Sequence, residues 1–155
     1  MARSQVYLIL AKTLSVVDLL VNLSHYLQMS IVAVIGASTD RRKFGNKAVR
    51  AFLRSGYKVV AINPSLAAVG GDIEGCDTYG SVVDVPYKID LATLYVQPHI
   101  GRDIVWSLVK KNIPELWVNP GAESPEVVEL AQQCGMIVRE HCSIVAIGES
   151  PVDYE

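Results

Sequence analysis

The run Ile31–Ile35 is short, wholly apolar and rich in β-branched residues, and the small residues Gly36-Ala37-Ser38 follow it directly. Such a run predicts a buried strand of a parallel sheet. Val49, Phe52 and Leu53 then have the spacing of one helical face, which predicts a helix after the small residues. Where a strand turns into a helix through such a loop, free N–H groups and the positive end of the helix dipole favour an anion. The sequence therefore predicts an α/β fold with an anion site at residues 36–38.

Four further apolar runs predict the other strands of the same sheet, and helical patterns lie between most of them. The runs are Lys58–Ile62, Asp90–Val96, Glu115–Val118 and Met136–Val138. Strands that alternate with helices through short connections predict a parallel sheet with right-handed crossovers. We therefore expect a doubly wound α/β fold, with five mainly parallel strands in the order 3-2-1-4-5 and helices on both faces. Residues 65–80 predict a loop or short hairpin, and residues 144–147 predict a continuation of the sheet edge.

The sequence predicts one domain at residues 30–150, preceded by an apolar extension at 1–29 and followed by a loose tail at 151–155. Apolar residues at helical spacing in the extension predict a helix from about residue 13 to 28. Lys12 and Asp18 interrupt the apolar run, which argues against a membrane span. The apolar face of the helix would pack on the domain or on a second copy of the chain in a homodimer. Alternatively, translation starts naturally at Met29.

The net charge and the cysteines exclude several classes of function. The formal net charge of -2 indicates no basic excess, so we expect no nucleic-acid partner. The three cysteines lack CxxC spacing and a secretory context, which predicts reduced thiols in the cytoplasm. The histidines have no metal-ligand spacing, and His141 and Cys142 would point to opposite faces of a continuing strand. We therefore expect no metal site and no catalytic residue.

Glycine, proline and asparagine mark the carboxyl ends of the predicted strands. These residues are Gly36-Ala37-Ser38, Asn63-Pro64, Gln97-Pro98 and Asn119-Pro120-Gly121. In a doubly wound sheet, ligands bind beyond the carboxyl ends of the strands. The rim therefore predicts a site for a nucleotide-like ligand whose phosphates lie at Gly36-Ala37-Ser38, with positive charge from Lys43 or Arg42.

Two residues argue against a nicotinamide dinucleotide in this site. A dinucleotide fingerprint needs a second glycine where Ser38 stands and an acid where Asn63 ends the second strand. The G-x-x-x-x-G-K-[ST] pattern of a P-loop does not occur in the sequence either. An NAD-dependent oxidoreductase is therefore a disfavoured alternative.

Several short motifs occur together in a characteristic order. They are VAVIGAS at the first strand, Lys43-Phe44-Gly45-Asn46 at the start of the helix, GYKVVAINP through the second strand, and Trp117-x-Asn119-Pro120-Gly121-Ala122-Glu123 at the fourth. With this set, residues 30 to about 148 resemble the stand-alone CoA-binding domain proteins, relatives of the CoA-binding domain in the succinyl-CoA synthetase α subunit. The resemblance implies a Rossmann-like domain that binds coenzyme A.

The rim and the resemblance together define the candidate contacts to coenzyme A. They are Gly36, Ala37, Ser38, Arg42, Lys43, Phe44, Asn46, Asn63, Pro64, Val96, Gln97, Pro98, Asn119 and Gly121. The resemblance implies that Asn63 and Pro64 border the nucleotide and that residues 96–98 lie along the ligand. In two places the chain departs from the family pattern: Ser65 stands where members often carry a basic residue, and Asn119 replaces a common glutamine.

The function expected from this resemblance is binding of coenzyme A or an acyl-CoA without a reaction of its own, as a carrier, sensor or regulator. One alternative is a subunit of an acyl-CoA synthetase-like enzyme that needs a ligase-like, nucleotide-binding partner. A further hypothesis is a mixed disulfide between coenzyme A and Cys142 or Cys76. We expect a cytoplasmic location and no membrane partner.

Overall fold

The computed structural model describes residues 16, 17, 20 and 29–155. The helix predicted from about residue 13 to 28 falls on a stretch of which only Val16, Val17 and Leu20 are described, and these three are helical and exposed. The remainder of that prediction lies outside the described residues.

Strands and helices alternate through residues 29–155. In chain order they are β1 (Ile31–Ile35), α1 (Phe44–Arg54), β2 (Lys58–Ile62), α2 (Pro64–Ala67), β3 (Thr78–Tyr79), β4 (Leu91–Leu94), α3 (Pro98–Lys110), β5 (Glu115–Val118), α4 (Pro125–Gln133), β6 (Ile137–Glu140) and α5 (Ser143–Ala146). Two 3-10 helices, Val82–Asp84 and Pro151–Tyr154, complete the described structure.

The strands form one parallel sheet in the order β3-β2-β1-β4-β5-β6. The predicted α/β, doubly wound class is confirmed. The predicted count of five strands was one too low, because Thr78–Tyr79 lies within the segment expected to be a loop or hairpin and pairs with Ala61 and Ile62. The strand counted third in the sequence is therefore β4, and it pairs with β1. In the numbering of the five predicted strands the observed order is 2-1-3-4-5, so the expected order 3-2-1-4-5 was wrong. The strand counted third lies between β1 and β5, and the two-residue β3 takes the edge position beside β2.

Apolar side chains of β1 are buried on both faces of the sheet. Val32 and Val34 pack in one core with Phe52 of α1, whereas Ala33 and Ile35 pack in the other with residues of α3 and α4. Burial on both faces explains why β1 is a continuous apolar run without alternation. It also places β1 at the centre of the molecule, so the loop that follows it lies at the middle of the carboxyl-end rim.

The carboxyl-terminal region differs from its prediction in two places. Residues 144–147 do not extend the sheet edge, because residues Ser143–Ala146 form α5. The tail is not loose: Tyr154 is buried, its carbonyl oxygen accepts a hydrogen bond of 2.7 Å from Arg50, and its hydroxyl donates to Glu149. The aromatic ring packs against α1, which outweighs the polar composition of residues 150–155.

Within the described part of the chain, no helix has the length and apolar character needed to cross a membrane.

Candidate functional site

Gly36 ends β1 in a backbone conformation that favours glycine, with φ of +86°. A Cβ atom at this position would lie 2.8 Å from the carbonyl oxygen of Tyr95, which follows β4. The N–H of Gly36 donates to the carbonyl oxygen of Ile62 at the end of β2. The first residue of the loop is therefore fixed between the ends of the two neighbouring strands.

Gly45 brings the start of α1 against the same loop. A Cβ atom on Gly45 would lie only 2.2 Å from the carbonyl oxygen of Gly36, so no larger residue fits there. Lys43 is the N-cap residue of α1, and its side chain makes no capping hydrogen bond. The N-terminus of an 11-residue helix thus meets the loop without a side-chain cap, and such an end attracts anions.

Ser38 and Asp40 shape the rest of the loop. The Ser38 hydroxyl oxygen accepts a hydrogen bond of 3.1 Å from the N–H of Asp40, and its own O–H remains able to donate. The Asp40 carboxylate accepts bonds from the backbone and guanidinium of Arg42, which lower the pKa of Asp40 to about 2. Arg42 is therefore held by Asp40 as an ion pair of 2.9 Å.

Asn46 supports the loop from beneath. It is fully buried, and its amide nitrogen donates to the carbonyl oxygen of Ser38 at 2.8 Å and to Glu74 at 3.0 Å. Its amide oxygen accepts a bond of 2.8 Å from Arg50. The hydrogen-bonding groups of this side chain are thus used inside the protein, so Asn46 positions Ser38. It lines neither of the two cavities that border the loop.

Asn63 connects the ends of β1 and β2. Its amide nitrogen donates to the carbonyl oxygen of Ala37 at 2.9 Å, and its amide oxygen accepts from the N–H of Leu66 at 3.0 Å, capping α2. An aspartate here could cap α2 but could not donate to Ala37. The asparagine therefore has a structural role at the position where a dinucleotide fingerprint has an acid.

Two cavities border the loop, and both are lined by Gly36, Ala37 and Asn63. The first, which we call the apolar cavity, has a volume of about 410 Å³; its further lining residues are Ile35, Ile62, Pro64, Gly80, Ser81, Val82, Val96, Ile100, Asp103, Ile104 and Ser107. The second, which we call the loop cavity, has a volume of about 510 Å³ and is further lined by Ser38, Lys43, Phe44, Gly45 and Tyr95.

The cavities bring together eight of the residues predicted for the site. These are Gly36, Ala37, Ser38, Lys43, Phe44, Asn63, Pro64 and Val96. Gln97 and Pro98 are exposed at the start of α3 and line neither cavity. Arg42 lines a separate cavity that also contains Arg41, Lys47 and Arg50.

Asn119 and Gly121, at the end of β5, also lie outside both cavities. Asn119 is buried and donates to Thr93 at 2.7 Å and to the carbonyl oxygen of Leu94 at 3.0 Å. Its amide oxygen accepts a bond of 2.8 Å from the N–H of Ser143. Asn119, whose side chain is shorter than the glutamine common in the family, therefore joins β4, β5 and α5. Gly121 is exposed and donates its N–H to Glu123.

The site predicted from the sequence lacked the residues that α3 and the segment before β4 contribute. Ile100 and Ile104 are one helical turn apart, as are Asp103 and Ser107, and all four line the apolar cavity. The sequence predicts a helix here, but its apolar spacing does not show which residues face the rim of the sheet. Gly80, Ser81 and Val82 could not be placed because β3 was not recognised.

Tyr95 lines the loop cavity, but its hydroxyl is already engaged. It forms a hydrogen bond of 2.6 Å with the Ser143 hydroxyl, and burial raises the pKa of Tyr95 above its usual range. The tyrosine therefore stays neutral, and its hydroxyl group is used within the protein.

No group of three or more His, Cys, Asp or Glu residues that could hold a metal ion occurs in the described residues. Cys76 is buried away from both cavities, and burial together with nearby Asp77 and Glu74 raises the pKa of its thiol to about 11.

Comparisons with known proteins give a consistent result. Residues 30–148 match a protein family described as a CoA binding domain. The fold is similar to that of a conserved hypothetical protein from Pyrococcus furiosus, with 29% identity and a TM-score of 0.67 over 76% of this chain and 98% of that one. It is also similar to a hypothetical protein from Pyrococcus horikoshii OT3, with 26% identity and a TM-score of 0.68 over 74% and 78% of the two chains.

A larger protein contains a similar unit. The dinucleotide-forming acetyl-coenzyme A synthetase 1 of Ca. Korarchaeum cryptofilum, solved in complex with phosphate and ADP, has 31% identity and a TM-score of 0.61 over 70% of this chain. The matched part is only 25% of the synthetase chain.

Proposed function

The chain belongs to the CoA-binding domain family, and we propose that it binds coenzyme A or an acyl-CoA at the carboxyl-end rim of its sheet. The observation that carries this proposal is the contact of Gly45 with the carbonyl group of Gly36. Because Gly45 carries no side chain, the uncapped end of α1 can lie directly against the loop. Backbone N–H groups and the helix dipole then favour a diphosphate there.

In this proposal the diphosphate of coenzyme A lies on the loop at Gly36, Ala37 and Ser38. Ser38 donates its free O–H to a phosphate oxygen. Lys43 lines the loop cavity, where its ammonium group would contact the phosphates. Arg42 contributes less, because Asp40 already accepts its hydrogen bonds. Positive charge at the diphosphate therefore comes mainly from Lys43 and the helix end.

The two cavities suit the two ends of coenzyme A. The flat adenine ring fits the apolar cavity, whose lining includes Val82, Val96 and Ile104. The pantetheine arm, which is long and flexible, would pass through the loop cavity over the exposed ring of Phe44. A thiol or acyl group at its end would then lie near the protein surface.

We propose binding without a reaction catalysed by this chain alone. Two polar side chains that line the cavities, Asn63 and Tyr95, make hydrogen bonds within the protein. Such side chains hold the loop and the strand ends in place, which is the role expected in a binding site. A carrier, sensor or regulator of acyl-CoA fits this arrangement.

Isothermal titration of coenzyme A into the full chain tests the proposal, with Lys43→Ala and Arg42→Ala as a matched pair. Lys43→Ala should weaken binding by about 1–3 kcal/mol, the range for a hydrogen bond to a charged group. Arg42→Ala should weaken it much less, since Arg42 is paired with Asp40. Absence of binding, or equal losses in the two variants, would contradict this account of the site.

A parallel titration with NAD tests the oxidoreductase alternative. NAD should bind more weakly than coenzyme A, because Asn63 is committed to Ala37 and Leu66 and provides no carboxylate at the end of β2. Tighter binding of NAD would favour the alternative.

A second proposed function is that of a subunit that works with a nucleotide-binding partner. The similarity to one quarter of the acetyl-coenzyme A synthetase chain supports it, since that enzyme carries further parts within the same chain. The test is acyl-CoA formation from the acid, ATP and coenzyme A, measured for this chain alone and with proteins that co-purify with it. Turnover only in the presence of an ATP-binding partner would support this function, whereas no gain with any co-purifying protein would oppose it.

A further inference from the structure

We propose that a second anion site lies beside α1, separate from the coenzyme A site, and that it binds the phosphate group of a phosphate monoester or of inorganic phosphate. The site is a cavity of about 360 Å³, which we call the basic cavity; its lining residues are Arg41, Arg42, Lys47, Arg50, Tyr154 and Glu155. None of them lines the apolar cavity or the loop cavity. The inference goes beyond the proposed function and does not rest on it, because the basic cavity needs no bound coenzyme A.

The first observation is a buried lysine whose charge has a distant partner. The side chain of Lys47 is 9% exposed, and its ammonium lies 3.7 Å from the carboxylate of Glu155, which is 71% exposed. This distance is longer than a hydrogen bond. Lys47 forms no second ion pair with any described residue. A buried cation is costly unless an anion compensates it closely, so the ammonium can take a better-placed anion.

The second observation is an arginine whose hydrogen bonds all go to neutral oxygens. The Nε of Arg50 donates to the amide oxygen of Asn46 at 2.8 Å. Its Nη2 donates to the carbonyl oxygens of Arg41 at 2.9 Å and Tyr154 at 2.7 Å. Two of the five N–H donors of the guanidinium, those on Nη1, thus stay available. Arg50 forms no ion pair within the described structure, and it lies one helical turn from Lys47.

The third observation is that the carboxyl-terminal wall of the basic cavity is already in place. Tyr154 is buried, and its hydroxyl donates to Glu149 at 2.7 Å. Its ring centroid lies 5.3 Å from the guanidinium carbon of Arg50 and 5.6 Å from that of Arg54. Because these contacts hold the guanidinium of Arg50 in position, an anion would bind without ordering that side chain first.

The charges of the basic cavity favour a phosphate over a carboxylate. Arg41 is paired with Glu74 at 3.0 Å and Arg42 with Asp40 at 2.9 Å. The lysine and the arginine of α1 are balanced, among the described residues, by the carboxylate of Glu155 alone. A phosphate monoester carries a charge of about −1.5 to −2 at pH 7, which matches these two cations. Glu155 therefore occupies the place of an anion with less charge than the site can hold.

The basic cavity lies next to the coenzyme A site without being part of it. The ammonium of Lys47 lies 5.4 Å from the ring centroid of Phe44, and Phe44 lines the loop cavity. Lys43, which the proposed function assigns to the diphosphate, lines the loop cavity and not the basic cavity. A phosphate in the basic cavity and coenzyme A should therefore bind at the same time.

The test is a phosphorus NMR titration of the full chain with inorganic phosphate and, separately, with methyl phosphate, at low salt. The matched pair is Lys47→Met, which keeps the apolar stem, and Lys110→Met, which removes an exposed lysine at the end of α3. Lys47→Met should weaken phosphate binding by about tenfold, as expected for a lost hydrogen bond to a charged group. Lys110→Met should leave the affinity unchanged.

A second pair of variants tests the same site by a gain in affinity. Glu155→Gln should strengthen phosphate binding by about threefold, because it removes the carboxylate that competes for Lys47. The control Asp153→Asn removes one negative charge from the same 3-10 helix, but Asp153 pairs with Arg54 at 3.8 Å and does not line the basic cavity. It should have little effect.

The outcomes separate this inference from the proposed function. Absence of phosphate binding, or equal effects of Glu155→Gln and Asp153→Asn, would overturn the inference. So would loss of phosphate binding in Lys43→Ala or in the chain saturated with coenzyme A, since the phosphate would then lie on the loop. Phosphate binding that depends on Lys47, in a chain that does not bind coenzyme A, would support the inference and refute the proposed function. Binding of methyl phosphate as tight as that of inorganic phosphate would support a monoester as the ligand, and much weaker binding would support the free ion.

Discussion

Gly36 and Gly45 determine how closely α1 approaches the end of β1. The backbone of Gly36 lies in the left-handed region, and its space is limited by the carbonyl group of Tyr95. Gly45 has no room for a methyl group, because the carbonyl oxygen of Gly36 occupies that space. The geometry that exposes helix N–H groups to a ligand therefore depends on glycine, which has no side chain, at these two positions.

Replacing Gly36 by alanine should destabilise the fold more than the same change at Gly135. Both glycines have similar φ angles, +86° and +83°, but nothing lies within 4 Å of a Cβ atom at Gly135. Gly135→Ala should cost about 1 kcal/mol of unfolding free energy from backbone strain. Gly36→Ala should cost about 2–4 kcal/mol, because the methyl group must also displace Tyr95. Urea denaturation measures both, and equal losses would contradict the close contact.

Cys76 should be the slowest of the three cysteines to react. It is buried, and the pKa of its thiol is raised to about 11, so little thiolate exists at pH 8. Iodoacetamide at pH 8, followed by peptide mass spectrometry, should modify Cys134 and Cys142 first. The same order should hold for the reaction with a CoA disulfide. Of the two cysteines proposed to form a mixed disulfide with coenzyme A, Cys142 should therefore react before Cys76. Fast modification of Cys76 would show that this region opens readily.

The direction of an amide side chain was beyond what the sequence could reveal. Asn46, Asn63 and Asn119 are all predicted contacts to coenzyme A, but only Asn63 lines either cavity. Asn46 and Asn119 are buried and use their amides to join separate elements. A strand end in the sequence thus indicates that a polar residue lies near the rim, whereas the packing of distant elements decides whether it faces a ligand.

At the scale of elements, the strands that belong to the core were predictable and the short ones were not. β1, β2 and β5 begin and end at the predicted residues, because each is an apolar or alternating run ended by glycine, proline or asparagine. β3 has two residues and depends on its pairing with β2, so no local pattern marks it. α5 was taken as strand because its four residues are too few to show helical periodicity.

Asn63 links the two loops that follow β1 and β2, and its removal should affect both stability and binding. Asn63→Ala should reduce the unfolding free energy by about 1–3 kcal/mol, because it removes the cap of α2 and the bond to Ala37. Asn63→Asp keeps the cap but loses the donor to Ala37, and it also places a carboxylate beside the two cavities. Both variants should weaken coenzyme A in titrations. Wild-type affinity in Asn63→Asp would show that the Ala37 bond does not shape the phosphate site.

At the scale of the molecule, the site lies where the chain changes direction across the sheet. From β1 the chain adds β2 and β3 on one side, then returns to add β4, β5 and β6 on the other. Loops after β1 and β4 diverge at this point and leave a crevice between them. The overall net charge of -2 gives no indication of an anion site, because the site depends on backbone N–H groups and a few local charges.

The apolar extension predicts self-association of the whole chain. Its described residues Val16, Val17 and Leu20 are 56–59% exposed, and exposed apolar side chains on a helix favour packing against another surface. Multi-angle light scattering should give twice the mass of one chain, and a chain that begins at Met29 should give a monomer. A monomeric mass for both proteins would contradict the predicted homodimer.

The central claim is that a diphosphate binds where Gly36 turns β1 towards the N-terminus of α1. The most direct test is a crystal structure of the full chain grown with coenzyme A or dephospho-CoA. Phosphate oxygens should lie within hydrogen-bond distance of the backbone N–H groups at residues 36–38 and the first turn of α1, with adenine in the apolar cavity. A ligand bound elsewhere, with this corner of the sheet empty, would contradict it.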